Sequence, residues 1–239
     1  MLSVLGYIFR WIIGFSYFFV IAWYVVIGLR FFKPQQLYVL LSPICRMMLR
    51  SVGVRIRVTG RKNIDPGKSY LIVVNHESLF DPFICVGYIP MYFVVIELVE
   101  HFSWPVWGKM TTLWGNIPLD RKNFFSALKS LEKAELVLKT GTSIIVFPEG
   151  TRTTTGEMKA FKKGAFYLAL KTKADILPIA INGLYKAKTR GDWHVRSANV
   201  GFNIGNPVRY DEYRDFSIDE LRDWMREKIQ RLKTQPEEA

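Results

Sequence analysis

Between Arg10 and Arg30 the chain reads WIIGFSYFFVIAWYVVIGL, with no charged residue. A helix of that length is about what the hydrocarbon core of a bilayer requires. A stretch apolar on all sides cannot face water, and its length and uniformity strain any reading as core helices of a soluble protein. It lacks the early basic region and small-residue cleavage site of an exported leader. Basic residues gather after it, at Lys33, Arg46, Arg50, Arg55, Arg57, Arg61, Lys62 and Lys68. By the positive-inside rule the chain is expected at the cytoplasmic (inner) membrane, with its bulk on the cytoplasmic side.

The next segment, QQLYVLLSPICRMMLRSVG, has a different character. Arg46 and Arg50 are four apart and share a helix face, while Leu37, Leu40, Leu41, Ile44, Met47 and Met48 fill the rest. That pattern suits a membrane interface. Residues 1–52 are therefore expected to form membrane-associating helices. Two arrangements fit: a spanning helix plus a surface helix, or a helical hairpin dipping into one leaflet. Residues 53–239 are expected to form a separate domain.

Thirty-three basic against 21 acidic residues give a net charge of +12, which favours anionic partners. Nucleic acid is not expected, because the aromatic residues concentrate in the apolar N-terminus and no nucleic-acid motif is present. Cys45 and Cys85 stand far apart, in no ligand spacing, so neither a disulfide framework nor a metal site is expected. No Walker loop or GxGxxG is present to hold a nucleotide.

From residue 54 the pattern alternates between short β-branched runs and helical periods. VRIRVT (54–59), SYLIVV (69–74), YFVVI (92–96), IPL (117–119), SIIVF (143–147), ILPIAI (176–181) and ANVGFNI (198–204) read as strands. A helix is expected from Phe124 to Thr140, capped by Asn123 and stopped by Gly141. Another begins at Ser217, where Ser217 and Glu220 fit a capping box. The tail TQPEEA reads as disordered. The expected class is α/β, a mixed sheet covered by helices.

Chemistry concentrates at strand ends. In VVNHESLFDP the strand finishes at Asn75, and Pro82 turns the chain out of its loop into a new helix. Across that loop the Asp81 carboxylate can fold back onto one nitrogen of His76 and leave the other free, as a general base requires. Asp81 before a proline is equally a good helix N-cap. FPEGTR (147–152) follows the apolar strand SIIVF with a burst of charge. Gly150 there permits close backbone approach, and Arg152 can grip an anion with two parallel hydrogen bonds. GNIPLDR brackets a short strand with Gly115 and Arg121, and Pro178 inside ILPIAI suggests an edge strand or a bulge. His101 and His194 read as surface or packing residues, and the RGD at 190–192 as a loop turn.

Together these four stretches resemble the glycerolipid acyltransferase superfamily, especially the bacterial 1-acylglycerol-3-phosphate acyltransferases. N-H-x-x-x-x-D is matched by Asn75, His76 and Asp81. F-P-E-G-T-R is matched in full, and the F-K-x-G that follows by Phe161, Lys162 and Gly164. G-x-x-F-I-x-R is matched only at Gly115 and Arg121, and the apolar strand with a central proline at Pro178. Many relatives carry a lysine in an A-K-x-E-L segment, where this chain has VVIEL.

The resemblance implies transfer of a fatty acyl group to lysophosphatidic acid from a thioester of acyl carrier protein or coenzyme A, next to membrane phospholipids and without a further cofactor. It assigns His76 as base and Asp81 as its orienting partner. Arg121 and Arg152 become the main cations for the acceptor phosphate, with Lys109, Lys162 and Lys163 behind them. Thr151 joins the substrate-binding residues, Glu149 would orient the acceptor or an arginine, and Gly150 would keep the backbone close to substrate.

Overall fold

The computed structural model describes residues 2–234, so the tail read as disordered lies outside the described residues except for Thr234. Two helices lead, α1 (Leu2–Gly28) and α2 (Pro34–Ser51). The rest alternates as the β-branched runs foretell: β1 (Val54–Thr59), β2 (Leu71–Val74), α3 (Asp81–Tyr88), β3 (Phe93–Leu98), α4 (Trp107–Trp114), β4 (Ile117–Leu119), α5 (Phe124–Lys139) and β5 (Ser143–Val146). There follow α6 (Gly164–Thr172), β6 (Ile176–Asn182), the single turn α7 (Leu184–Ala187), β7 (Ala198–Ile204) and α8 (Ile218–Thr234). The caps sit where their residues predict. Asn123 accepts from the Ser126 amide, and Ser217 and Glu220 exchange hydrogen bonds at the start of α8.

The seven strands form one sheet in the order β1-β7-β6-β2-β5-β3-β4, parallel throughout except between β6 and β7. The runs LIVV and SIIV are buried at every residue, as central strands covered on both faces must be. Ile72 and Val74 point into one apolar cluster with α2, α3 and α4. Leu71 and Val73 point into the other, with α5, α6 and α8.

Pro178 departs from expectation in one respect. β6 is an inner strand, paired with β2 on one side and β7 on the other, not an edge. The bulge does occur, on the neighbouring segment between Ile204 and Val208. Ile176 pairs with Val208 and Ile179 with Ile204, so three steps along β6 face four on its partner. The Pro178 carbonyl still accepts from the Gly205 amide at 2.9 Å, and the amide that proline lacks falls where the ladder is already interrupted.

The N-terminal helices share a core with the sheet. Ile21 and Val25 of α1, and Tyr38, Leu41, Cys45 and Met48 of α2, are buried in the same cluster as Ile72 and Phe202. α2 is also fixed by polar contacts: Tyr38 donates to the Ile89 carbonyl at 2.8 Å and Arg46 to the Gly87 carbonyl at 3.1 Å. Arg46 thus turns inward to the end of α3, while Arg50 stays exposed. Along α1, Trp11 donates to the Trp193 carbonyl at 2.6 Å and Phe18 stacks on Trp107. The opposite side of α1 leaves Phe9, Phe15, Phe19 and Trp23 more than half exposed, continuous in chain with Phe31 and Phe32. α1 is long and apolar enough to cross a membrane.

Candidate active site

β2 and β5 are neighbours, and their crossovers part. From β2 the chain passes through α3 on one face, and from β5 through α6 on the other. Such a parting opens a crevice at the carboxyl ends of the strands, where open α/β sheets hold their ligands. The loop 75–80 and the loop beginning at Phe147 both lie there.

The first loop is built around Asp81, which is fully buried. Its Oδ2 lies 2.5 Å from Nδ1 of His76 and accepts from the Glu77 amide at 2.8 Å. The Ser78 amide donates to both carboxylate oxygens at 3.1 Å. Asp81 is therefore the first residue of α3 but does not cap it, since its acceptors serve the preceding loop. With Nδ1 engaged, Nε2 of His76 has no partner among the described residues, and 23% of the side chain is accessible. Asn75 anchors the loop from behind, donating to the Ile181 carbonyl at 2.8 Å and accepting its amide at 2.7 Å.

The second loop cradles the first. The Phe147 ring stacks on the His76 imidazole, with centroids 4.4 Å apart. The His76 amide donates to Glu149 Oε1 at 2.7 Å, and the His76 carbonyl accepts from the Thr153 amide at 2.9 Å. Glu149 Oε2 accepts from the Lys159 amide at 2.8 Å. Glu149 is buried, which raises its pKa, while these amides pull it back down. Both of its oxygens are held by backbone, so it braces His76 and contacts neither an arginine nor open space.

The cations divide. Arg121 donates to the Gly150 carbonyl at 2.8 Å. Gly150 has φ 69°, and a Cβ there would stand 2.7 Å from Arg121 Nη1, so only glycine allows this approach. Arg152 is half-buried beside Asp81. Burial lowers its pKa, and the Asp81 charge opposes that. Lys163 is drawn away to Asp219 at 2.8 Å. Lys109 on α4 and Lys162 are exposed, and neither side chain makes a hydrogen bond or ion pair with the two loops among the described residues.

Three features escape sequence reasoning. Glu77, in the loop after β2, is fully buried and pairs at 2.5 Å with Lys233 near the end of α8. Burial is the main cause raising the Glu77 pKa, and Lys233 opposes it. Arg190, in the RGD turn, donates to Oγ1 of Thr151. His101 and His194 each have a carboxylate partner, Glu97 and Asp192, both outside the crevice loops. The two histidine pairs are close in sequence, whereas Glu77–Lys233 and Arg190–Thr151 join segments far apart in the chain.

Beside Pro82 an apolar cavity of about 90 Å³ opens between α1, α2, α3, β3 and α4, lined by Val25, Cys45, Phe83, Val86, Val95 and Met110 among others. The charge in its wall is internally satisfied. Glu97 accepts from Asn116 at 2.8 Å and from the Trp107 indole at 3.1 Å.

A histidine oriented by a buried carboxylate thus lies at a sheet crevice beside arginines, and an apolar cavity lies next to the helix that follows it. The family model described as Acyltransferase matches residues 55–182, more than half of the chain, and the chain belongs to that family. It is 32% identical to a 1-acyl-sn-glycerol-3-phosphate acyltransferase of Cocos nucifera, over 72% of this chain and 56% of the relative. It is 30% identical to a probable 1-acyl-sn-glycerol-3-phosphate acyltransferase of Mycoplasma pneumoniae, over 76% of this chain and 73% of that one. The matches span only 56% and 60% of the plant relatives from Cocos nucifera and Limnanthes douglasii. The fold is that of the crystal structure of the 1-acyl-sn-glycerophosphate (LPA) acyltransferase from Thermotoga maritima. That comparison has a TM-score of 0.83 and 24% identity, and covers 99% of this chain and 98% of the other.

Proposed function

We propose that the chain transfers a fatty acyl group from a thioester to the sn-2 hydroxyl of 1-acylglycerol-3-phosphate, forming phosphatidic acid. The observation that carries this is the His76 ring, fixed at Nδ1 by Asp81 and open at Nε2, beside arginines that make no carboxylate ion pair among the described residues. The acceptor hydroxyl oxygen bonds to the thioester carbonyl carbon as Nε2 takes its proton. The tetrahedral adduct then collapses with cleavage of the C–S bond, and the imidazolium returns the proton to the leaving thiolate. Asp81 stabilises the imidazolium in between. No serine or cysteine nucleophile is needed, because a hydroxyl can attack a thioester directly, and the thioester of acyl carrier protein or coenzyme A is a co-substrate. The cavity beside Pro82 suits a methylene chain, since its polar wall groups already satisfy one another.

Membrane attachment belongs to the same proposal. An exposed aromatic and aliphatic face on α1, Phe31 and Phe32, with Val39, Leu40 and Met47 of α2, is far more than a water-soluble surface carries. α1 packs on the domain from Trp11 to Val25, which favours a hairpin lying in one leaflet over a helix that leaves the domain to span. The active site would then sit at the cytoplasmic leaflet, next to an acceptor already held there by its chain.

The test is acyl transfer by detergent-purified protein, with a panel of lysolipids and glycerol 3-phosphate, each offered with both donors. Preference for lysophosphatidic acid supports the reading. Preference for another acceptor corrects the substrate, and the donor that is used settles the remaining choice.

A further inference from the structure

Arg190 lies outside every stretch that sequence patterns single out for chemistry, and its backbone merely carries the chain from α7 toward β7. Its side chain reaches into the crevice, where Nη1 donates to Oγ1 of Thr151. Thr151 stands between Gly150, whose carbonyl accepts from Arg121, and Arg152. Guanidinium groups from two distant segments therefore bond to consecutive residues of one loop, directly before Arg152 of that loop.

None of the three has a carboxylate within ion-pair distance among the described residues. Of the nearby acids, Asp81 is engaged with His76, Glu149 with two backbone amides, Glu77 with Lys233, and Asp192 with Arg196 and His194, while Glu100 acts on Arg121 only from beyond ion-pair distance. Arg152 and Arg190 are close enough to repel, an effect that adds to burial in lowering the Arg152 pKa against the pull of Asp81. Gathering like charges without a counter-ion is unfavourable, and a bound dianion reverses the sign.

The turn that carries Arg190 is fixed on three sides. Ser78 of the catalytic loop donates to the Lys188 carbonyl at 3.0 Å. The Lys188 ammonium folds back onto the carbonyls of Thr189 and Asp192 and so faces no ligand. From α1, Trp11 donates to Trp193 and Arg10 to the Val195 carbonyl at 3.3 Å. Arg190 is thus presented by a segment tied to both the base and the membrane-facing helix.

We propose that Arg190 is a third guanidinium of the acceptor-phosphate site, beside Arg121 and Arg152. This rests on the acceptor reading given above. The phosphate of lysophosphatidic acid would meet three planar donors, which discriminates a phosphomonoester dianion from a diester or a neutral headgroup.

The test uses the full chain in micelles free of anionic lipid, which removes membrane headgroups as a source of the effect. Arg190→Ala should raise the acceptor KM about ten- to hundredfold while leaving kcat and the donor KM within about twofold. Arg190→Lys should recover part of that loss, since charge returns without the planar fork. An unchanged acceptor KM overturns the proposal. So does a rise in the coenzyme A thioester KM alone, which would assign Arg190 to the donor's phosphates. If the wild type prefers another phosphate ester and Arg190→Ala weakens that acceptor, only the acceptor's identity is corrected. If it prefers an acceptor without phosphate, both readings fall together.

Discussion

The loops that leave β2 and β5 lie side by side and use similar residues, yet they close their charges in opposite ways. In the first, every charge has a protein partner: Asp81 holds His76 and three amide hydrogen bonds, and Glu77 holds Lys233. In the second, the buried acid Glu149 is sealed against backbone, and among the described residues the arginines around it bond only to a carbonyl and a hydroxyl. A loop complete in itself is suited to fix a base in one orientation. A loop with surplus positive charge is suited to accept an anion. Under the proposed function the contrast separates catalysis from binding along the crevice, yet the two loops are not independent, since Phe147, Glu149 and Thr153 hold His76 in place.

The largest break in the comparison comes from the buried carboxylate. Asp81→Asn should lower kcat between about 10²- and 10⁴-fold with little change in acceptor KM, because the amide no longer favours the imidazolium or the productive tautomer. Steady-state kinetics on both substrates separates the two parameters.

The buried pair behind the first loop is next. Lys233→Met leaves Glu77 buried without its counter-charge and should cost about 3–5 kcal/mol in stability, with Glu77→Gln added to Lys233→Met recovering most of it. The pH sign follows from the raised Glu77 pKa. A carboxyl whose folded pKa lies above its ordinary value contributes stability that is full below that value and is lost as pH rises through the folded one. Without Lys233 the folded pKa climbs further. The variant should therefore lose more stability than the wild type between pH 5 and pH 8, as melting temperatures across that range would register.

Glu149 sharpens the comparison at smaller scale. If it braces His76, Glu149→Gln should lower kcat and cost about 1–3 kcal/mol in stability, because one amide loses its partner, while the acceptor KM stays within about twofold. A selective rise in acceptor KM would return Glu149 to the substrate-orienting role that the motif alone suggests.

Much of this was legible in the residues. β1, β4 and β7 fall on VRIRVT, IPL and ANVGFNI residue for residue, because β-branched runs between turn formers leave little choice. The His76–Asp81 pair was legible because Pro82 forces the turn that folds one onto the other. The rest depends on contacts between distant segments. Glu77 and Lys233 are joined only when α8 packs back on the sheet, and Arg190 reaches Thr151 only because β6 and the β5 loop flank β2. The bracing of His76 by Glu149 is hidden for a related reason, since the backbone amides that enclose the carboxylate come from outside the motif. Pro178 suggested an edge because the bulge that accommodates it belongs to the neighbouring chain segment.

The central claim is that His76 is the base. It is tested most directly by acyl transfer to lysophosphatidic acid by wild type and His76→Ala, with lysophosphatidic acid binding to each measured alongside. The account predicts transfer by the wild type, loss of transfer in the variant, and acceptor affinity within about twofold, since the arginines that hold the phosphate are untouched. Equal transfer by both proteins would contradict it.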